Sequence, residues 1–195
     1  LNIFEYDFLL NAAWAAVFAS ITCGIVGTYI VTNRIVFLSG GITHSSFGGI
    51  GLGYFLGLNP ILGAAVFSVI SALGIEFFTR KGQVRYDSVI GIWWSLGMAL
   101  GIIFIYITPG YAPNLMTYLF GSILTVSQLD IFFMALMTLL IIAFFLIFYR
   151  LILYISFDEE YARAHNLPVN LMKSLLISLV ALVIVINIKV VGIIL

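Results

Sequence analysis

Charged side chains are scarce in this sequence, and their scarcity excludes a water-soluble globular protein. Only 8% of the 195 residues are Asp, Glu, Lys or Arg, whereas soluble domains carry about 25%. Hydrophobic residues make up 63% of the chain, so too few polar residues remain to cover a surface that faces water. The composition predicts a protein embedded in a lipid bilayer. The formal net charge is zero, so the charge balance gives no indication of nucleic acid as a partner.

Cysteine is also nearly absent, which excludes an internal disulfide. The single cysteine, Cys23, lies in an apolar run and is expected to be a small packing residue. No phosphate-binding P-loop is present, so any ATP that drives this protein must be bound by another chain. The sequence begins with Leu and stops at VVGIIL within an apolar run. We therefore expect a piece of a longer membrane protein, truncated at the C-terminus.

Long uncharged runs indicate membrane-spanning helices. A helix crosses the hydrocarbon with about 20 apolar residues, and continuous rather than alternating hydrophobicity favours helices over a barrel. Asn59-Pro60 and Thr108-Pro109-Gly110 divide two runs that are too long for one span. The predicted fold class is all-α, a polytopic membrane helix bundle with about six spans, near 8–32, 38–57, 61–79, 88–107, 130–150 and 171–188. The apolar residues 115–126 are too few to cross and predict one re-entrant segment.

Basic residues predict the orientation of these spans. Those that fall in one set of alternating loops are Arg34, Arg80, Lys81, Arg85, Arg150, Arg163 and Lys173. The positive-inside rule places these loops in the cytoplasm and the N-terminus outside. Lys189 is the exception, and we expect it near the outer interface or in a hydrated cavity.

Glycine is concentrated in the second predicted helix. The stretch 36–58, VFLSGGITHSSFGGIGLGYFLGL, contains seven glycines. Small residues recur there at every fourth position, at Gly41, Ser45, Gly49, Gly53 and Gly57. Small residues allow helices in a membrane to approach closely, so we predict that this line packs against a neighbouring helix and lines a path. Gly97 and Gly101 repeat the pattern on the fourth helix.

His44 is the only histidine in that stretch, which contains no Asp, Glu, Lys or Arg. An ionisable group inside a membrane commonly faces a cavity or a partner and marks a transport pathway, and imidazole is a frequent ligand of transition metals. The same side chain can instead hold two helices together through a hydrogen bond. The sequence leaves both roles open. The neighbouring Thr43, Ser45 and Ser46 are weak ligands, which we expect to act in helix packing.

The stretch SFDEEYARAHNLPVN at 156–170 predicts a short helix between two spans. Ser156 or Asp158 can cap its N-terminus, where acidic residues are also favoured by the helix dipole. We expect the helix to run to about His165 and to be stopped by Pro168. Most charged loops are solvated linkers, and this alternative stays open. A short capped helix held between two spans is instead a rigid handle that a cytoplasmic partner could push.

Two further acids lie near predicted helix ends. Asp130 opens the fifth helix, where capping is its expected role, although it could also attract a cation. Glu76 and Arg80 are four residues apart and are expected to form an ion pair along one helix face.

Four segments in order resemble the permease subunits of ATP-binding-cassette importers for zinc, manganese and iron. They are GTYIVTNRIVFLSGGITHSSFGGIGLG, RYDSVIGIWWSLGMALGI, YLFGSILTVSQLD, and ISFDEEYARAHNLPVNLMKSLL with the later IKVVGIIL. The resemblance covers essentially all 195 residues, as a single transmembrane permease domain over 1–195. Members of the family extend beyond the VVGIIL position, which agrees with the expected truncation.

The resemblance implies a transport subunit and not an enzyme. It implies a homodimeric or paired permease in a bacterial-type inner membrane, a separate cytoplasmic ATPase, and an external metal-binding protein that delivers a divalent zinc, manganese or iron ion. No cofactor is permanently bound, and ATP acts only through the partner ATPase. His44 then becomes a transient metal ligand. The segment expected to receive the stroke of the ATPase contains Asp158, Glu159, Glu160, Arg163 and Pro168.

One position departs from the family pattern. The usual stretch is Phe-Leu-Gly-Asp-Ala-x-Ser-His, and here Gly40 replaces the aspartate while His44 is kept. Loss of this carboxylate either shifts the preference towards a softer, nitrogen-liking metal such as zinc or leaves a weaker, transient site. The sequence does not decide between these outcomes.

Other functions compete with metal import. A permease for a metal chelate, such as a siderophore or vitamin B12, has a similar architecture but is expected to need a wider cavity with fewer ionisable groups. A non-transporting scaffold or an intramembrane hydrolase would not bind an ATPase. A serine hydrolase is disfavoured because no third group is available to orient His44.

Overall fold

The computed structural model describes residues 7–80, 84–109 and 119–193. Within these ranges the chain forms eight α-helices and no strand, which confirms the predicted all-α class. The helices are α1 (Asp7–Thr32), α2 (Val36–Phe55), α3 (Pro60–Arg80), α4 (Tyr86–Ile107), α5 (Gln128–Ile147), α6 (Tyr149–Phe157), α7 (Glu159–Ala164) and α8 (Val169–Val191). A 3₁₀ turn at Ile123–Thr125 precedes α5.

Five of these helices are long and apolar enough to cross a bilayer: α1, α3, α4, α5 and α8. The remaining predicted span, α2, has 20 residues and is long enough at about 1.5 Å per residue. Its glycines, hydroxyl side chains and histidine lower its hydropathy. The structure compensates for this by surrounding α2 with other helices, because more than half of its residues are buried.

Some helix boundaries differ from those predicted. The predicted span 130–150 is divided at Phe148, whose φ of −98° and ψ of 13° separate α5 from α6. The second predicted helix ends at Phe55, two residues early. Gly110, the last residue of the predicted break at Thr108-Pro109-Gly110, lies outside the described residues. The predicted re-entrant segment 115–126 also lies partly outside them.

Helix α8 is the central element of the bundle. Half of its most apolar stretch is buried, compared with 17–33% in the other four candidate spans. On one side Leu176 and Val180 of α8 share a core with α1, α5, α6 and α7. On the other side Ile177 and Ala181 pack with α2, α3 and α4. Helix α8 therefore joins two groups of helices that share few other contacts.

Backbone contacts between glycines join α2 to α4. A Cβ added to Gly48 would lie 2.8 Å from the Gly97 carbonyl oxygen, and one added to Gly51 would lie 2.6 Å from the Gly101 carbonyl oxygen. The reverse also holds, because a Cβ on Gly97 would lie 2.6 Å from the carbonyl oxygen of Ser45. Real Cβ atoms do not approach other atoms so closely, so this helix pair requires glycine at these positions.

The predicted line of small residues on α2 contacts two neighbours. Gly41 and Ser45 face α4, at Ile90 and Gly97, whereas Gly49 and Gly53 face α3. Positions four apart advance by about 40° around a helix, so the line winds from one neighbour to the next. Gly57 lies beyond the end of α2, in a turn with φ of +66°, and does not take part in the helix packing.

The loops fall at two ends of the bundle. At one end the Asn33 amide, after α1, donates to the Ser156 hydroxyl near the end of α6, at 3.2 Å. At the opposite end the Asn11 amide of α1 donates to the Val126 carbonyl oxygen, at 3.3 Å. The first end, called the basic end below, carries the described basic residues Arg34, Arg80, Arg85, Arg150, Arg163 and Lys173. The structure groups these six as the sequence predicted, and Lys81, the seventh residue of the predicted set, lies outside the described residues.

A second contact between glycines closes the opposite end. Gly121 and Gly192 both have positive φ, +68° and +90°, and a Cβ on Gly192 would lie 2.7 Å from the Phe120 carbonyl oxygen. Beside them the Ser122 N–H donates to the Lys189 carbonyl oxygen at 3.0 Å. These contacts hold the described part of the segment before α5 against the last turn of α8.

We expect Gly97→Ala to destabilise the protein because its Cβ would meet the backbone of α2. Overpacking of this kind typically costs about 1–3 kcal/mol, so the thermal unfolding midpoint in detergent should fall. The matched control is Gly91→Ala on the same helix, where an added Cβ has no neighbour within 4 Å. This control should leave the midpoint unchanged or raise it, because alanine is the better helix former. Equal midpoints for both variants would contradict the packing described.

Candidate functional site

His44 lies on the face of α2 that packs against α4. Its imidazole stacks on the Trp94 ring, with centroids 4.2 Å apart and planes inclined by 7°. The Phe37 ring, two turns earlier on α2, contacts the same indole at 6.0 Å. Gly40 leaves room for this arrangement, since a Cβ there would lie in ordinary contact, 3.7 Å from the Trp94 ring. Trp94 therefore fixes the plane of the imidazole.

The histidine has unused hydrogen-bonding capacity. Its Nδ1 atom is buried and has no hydrogen-bond partner among the described residues. Buried polar atoms are nearly always satisfied, so an unsatisfied nitrogen in a half-buried ring is unusual. Within the described ranges no group of three His, Cys, Asp or Glu side chains is placed to hold a metal ion. The described part of the chain thus offers one imidazole at this position.

The small residues of α2 pack closely against neighbouring helices. Gly41, Ser45, Gly49 and Gly53 are buried against α3 and α4 of the same chain. Their immediate role in this structure is close helix packing. By this packing they fix the position of His44 relative to Trp94.

The short helix α7 lies at the basic end, between α6 and α8. Its cap is Asp158, whose carboxylate accepts a hydrogen bond from the Tyr161 N–H at 2.8 Å. Ser156, the alternative cap, instead contacts Asn33. The helix ends at Ala164, and Asn166, with φ of +56°, reverses the chain. Pro168 then directly precedes α8, so it begins the next helix and does not stop α7.

Glu159 ties α7 to α8. Its carboxylate accepts hydrogen bonds from Arg163 Nη2 at 2.7 Å and from Lys173 Nζ on α8. Arg163 also donates to the Asn170 side chain at 3.0 Å. On the inner side Ala162 is fully buried in the core. Helix α7 is therefore attached by both packing and charge, while Glu160 remains exposed and without an ion pair among the described residues.

The Glu159 carboxylate is tuned by these contacts. Its partial burial opposes ionisation, but the hydrogen bonds from Lys173 and Arg163 outweigh that effect and hold its pKa below the ordinary value of 4.5. Favourable partners for the charged form lower the pKa of an acid in this way.

The opposite end contains an ion pair between Asp130 and Lys189. Asp130 Oδ2 lies 2.5 Å from Lys189 Nζ and also accepts from the Ser127 N–H at 2.8 Å, which completes a capping box at the start of α5. Both side chains line a cavity of about 650 Å³ that extends to Asn59 and Pro60. Asp130 therefore has two roles, because it caps α5 and pairs with Lys189. Lys189 lines a cavity, which is one of the two locations expected for it.

Sequence analysis missed several partners. Trp94 beneath His44 was not singled out, although the Trp-Trp pair on a glycine-containing helix was a possible signal. The contact of Asn187 with Thr22 was also not predicted. In this contact the buried amide of Asn187 on α8 donates to the Thr22 hydroxyl on α1, at 3.4 Å. The expected Glu76–Arg80 pair is not within ion-pair distance in the structure.

Comparison with known proteins identifies related sequences. The profile described as ABC 3 transport family matches residues 5–195. An uncharacterized membrane protein of Synechocystis sp. is 45% identical over 190 residues, covering 97% of this chain and 68% of that protein. The manganese transport system membrane protein MntC of Halalkalibacterium halodurans is 33% identical over 194 residues, covering 100% of this chain and 66% of that protein.

A solved structure has the same helix arrangement. PsaBC from Streptococcus pneumoniae, in complex with Fab, superposes with a TM-score of 0.84 at 34% identity, covering 98% of this chain and 69% of that chain. The present chain spans about two thirds of the length of these relatives. The similarity therefore covers nearly all of the helices described above.

We expect Glu159→Gln to lower the thermal unfolding midpoint at neutral pH and to have little effect in acid. Because the folded-state pKa of Glu159 is below the unfolded value, the carboxylate stabilises the fold above about pH 4.5, and this contribution is lost as the pH falls through the folded pKa. Unfolding midpoints of both proteins from about pH 7 down to about pH 3 test this. Glu160→Gln, which removes a neighbouring exposed acid, is the control. If the unfolding midpoints of Glu159→Gln and the unmodified protein differed by the same amount at every pH, the lowered pKa of Glu159 would be contradicted.

Proposed function

This chain belongs to the ABC 3 transport family, and we propose that it is the membrane permease subunit of an ATP-driven importer of a divalent transition metal. Zinc, manganese and iron are the candidates. The relative named as a manganese transport system membrane protein makes manganese the first metal to test. The observation that carries the proposal within this chain is the imidazole of His44, which is aligned by Trp94 and has a nitrogen without a partner in the described structure.

His44 acts in this proposal as a transient ligand of the transported cation. A permanent site would need several ligands fixed at short distances, and such a set would hold the ion too tightly for release. One imidazole supplies a weak contact that a passing ion can gain and lose. Gly40, in place of a carboxylate, keeps that contact weak or selects a metal that prefers nitrogen.

The partners proposed for this subunit are a cytoplasmic ATP-binding-cassette ATPase, an external metal-binding protein and a second copy of the permease. The protein would lie in a bacterial-type inner membrane with the basic end in the cytoplasm and the N-terminus outside. No cofactor is proposed, and ATP would act only through the partner ATPase. Helix α7 at the basic end is the element proposed to contact the ATPase, because Asp158, Glu159 and Glu160 give it a rigid, acidic start.

We expect His44→Phe to reduce metal uptake by about tenfold or more, which is the effect of losing an interaction of about 1.4 kcal/mol. Phenylalanine keeps an aromatic ring on Trp94 but removes both nitrogens. Uptake of radioactive or fluorescently reported manganese, zinc and iron by cells or proteoliposomes that contain the complete transporter is the measurement.

His44→Ala and Trp94→Phe serve as comparison variants for the same assay. The alanine variant also loses the ring stacking, so a fall in its unfolding midpoint without a fall for His44→Phe separates stability from ligation. Trp94→Phe should keep uptake largely intact because the nitrogens remain. Normal uptake by folded His44→Phe would remove His44 from the cation path.

We expect Glu160→Lys to weaken the complex with the ATPase while leaving the fold unchanged. The Glu160 side chain is exposed and has no ion pair among the described residues, so reversing its charge alters the outer surface of α7 alone. Co-purification of the ATPase with the tagged permease is the measurement. Asp87→Lys, which reverses an exposed acid at the start of α4, is the matched control. Equal recovery of the ATPase with both variants would show that this surface of α7 does not contact the ATPase.

A further inference from the structure

A cavity at the basic end brings together two carboxylates from different helices. Its volume is about 310 Å³, and its lining includes Glu76 and Arg80 from α3, Tyr86 from α4, Glu159 and Arg163 from α7, and Lys173 from α8. Four helices therefore contribute to one polar cavity. Lys173 lines the cavity together with both acids and forms an ion pair with Glu159.

Only one of the two carboxylates is paired in this structure. Glu159 accepts from both Lys173 and Arg163. Glu76 is partly buried, and its carboxylate has no ion pair or hydrogen bond among the described residues. The Tyr86 hydroxyl in the same cavity is buried and also lacks a partner there. A buried hydroxyl without a partner is costly, so the cavity contains one buried donor, on Tyr86, and one unpaired carboxylate, on Glu76, that a different arrangement would satisfy.

Glu76 lies on α3, which packs against α2, the helix that carries His44. It directly follows Ile75, which is fully buried in the core shared by α2, α3, α4 and α8. Helix α3 is in backbone contact with α2 at Gly49 and Gly63. A change in the force on the end of α3 would therefore be transmitted along a rigid helix to the glycine contact with α2.

We propose that Glu76 is a positioning residue for transport, which receives Lys173 when the ATPase displaces α7, and with it Glu159, from α8. The carboxylates of Glu159 and Glu76 compete for the ammonium group of Lys173. The ion pair therefore has two discrete arrangements, one that joins α7 to α8 through Glu159 and one that joins α3 to α8 through Glu76. Displacement of α7 breaks the pair of Lys173 with Glu159 and allows the pair of Lys173 with Glu76. In the second pair, Lys173 draws the ends of α3 and α8 together. This inference rests on the proposed function and adds the route by which the movement of α7 reaches α2.

The test measures metal transported per ATP hydrolysed by the complete transporter in proteoliposomes. We expect Glu76→Gln to lower this ratio by about fivefold or more while ATP hydrolysis and the unfolding midpoint stay close to those of the unmodified protein. Glu76→Asp should recover part of the ratio because it restores the negative charge. Asp87→Asn, which neutralises an exposed acid at the same end of the bundle, is the control and should have no effect.

A double-mutant cycle tests whether Lys173 is the shared partner. In a Lys173→Met background, Glu76→Gln should have no further effect on the ratio of transport to hydrolysis. Independent, multiplicative effects of the two substitutions would overturn the proposal, as would an unchanged ratio for folded Glu76→Gln. Failure of the unmodified transporter to move any of the three metals would instead reject the proposed function, so the two failures are distinguishable.

Discussion

The structure depends on the direct contact of helix backbones through glycine. In a bilayer, helices gain little from burying apolar side chains, because lipid tails are equally apolar, and they associate through close packing instead. Gly48 and Gly51 of α2 meet Gly97 and Gly101 of α4 at distances that leave no space for a methyl group. This close fit lets α2, which is rich in glycine and hydroxyl side chains, be enclosed by its neighbours, and it brings the imidazole of His44 onto the Trp94 ring. Without it, α2 would expose hydroxyl and imidazole groups to lipid.

Helix α8 gives this glycine-packed unit its connection to the rest of the chain. One face packs with α2, α3 and α4, and another packs with α1, α5, α6 and α7. Lys173 near one end and Lys189 near the other form its ion pairs with Glu159 and Asp130. The charged groups of α8 thus lie near its two ends, and one buried amide, Asn187, lies two residues before Lys189. A helix of this kind can transmit a displacement along its length while its middle stays packed.

Much of this arrangement could be predicted from the sequence, because uncharged runs and Pro or Gly breaks determine where spans begin and end. Asp158 was one of two possible caps for α7, and the structure selects it. The neighbours of each small residue could not be predicted: Gly41 faces α4 whereas Gly49 faces α3, since this depends on how far the line winds around α2. The ion pair of Glu159 with Lys173 depends on the chain reversal at Asn166, a residue type that tolerates positive φ but does not require it. The stacking of His44 on Trp94 depends on the relative height of two helices, which no local pattern encodes.

The pair of glycines at Gly121 and Gly192 has a consequence for how the chain can vary. Each has a backbone conformation that side chains disfavour, and each occupies the space that a methyl group on the other would need. Enlarging one cannot be compensated by shrinking the other, because glycine is already the smallest residue. The two positions, although 71 residues apart (192 − 121), therefore constrain each other as a single unit, and sequences that retain this closure must retain both glycines together.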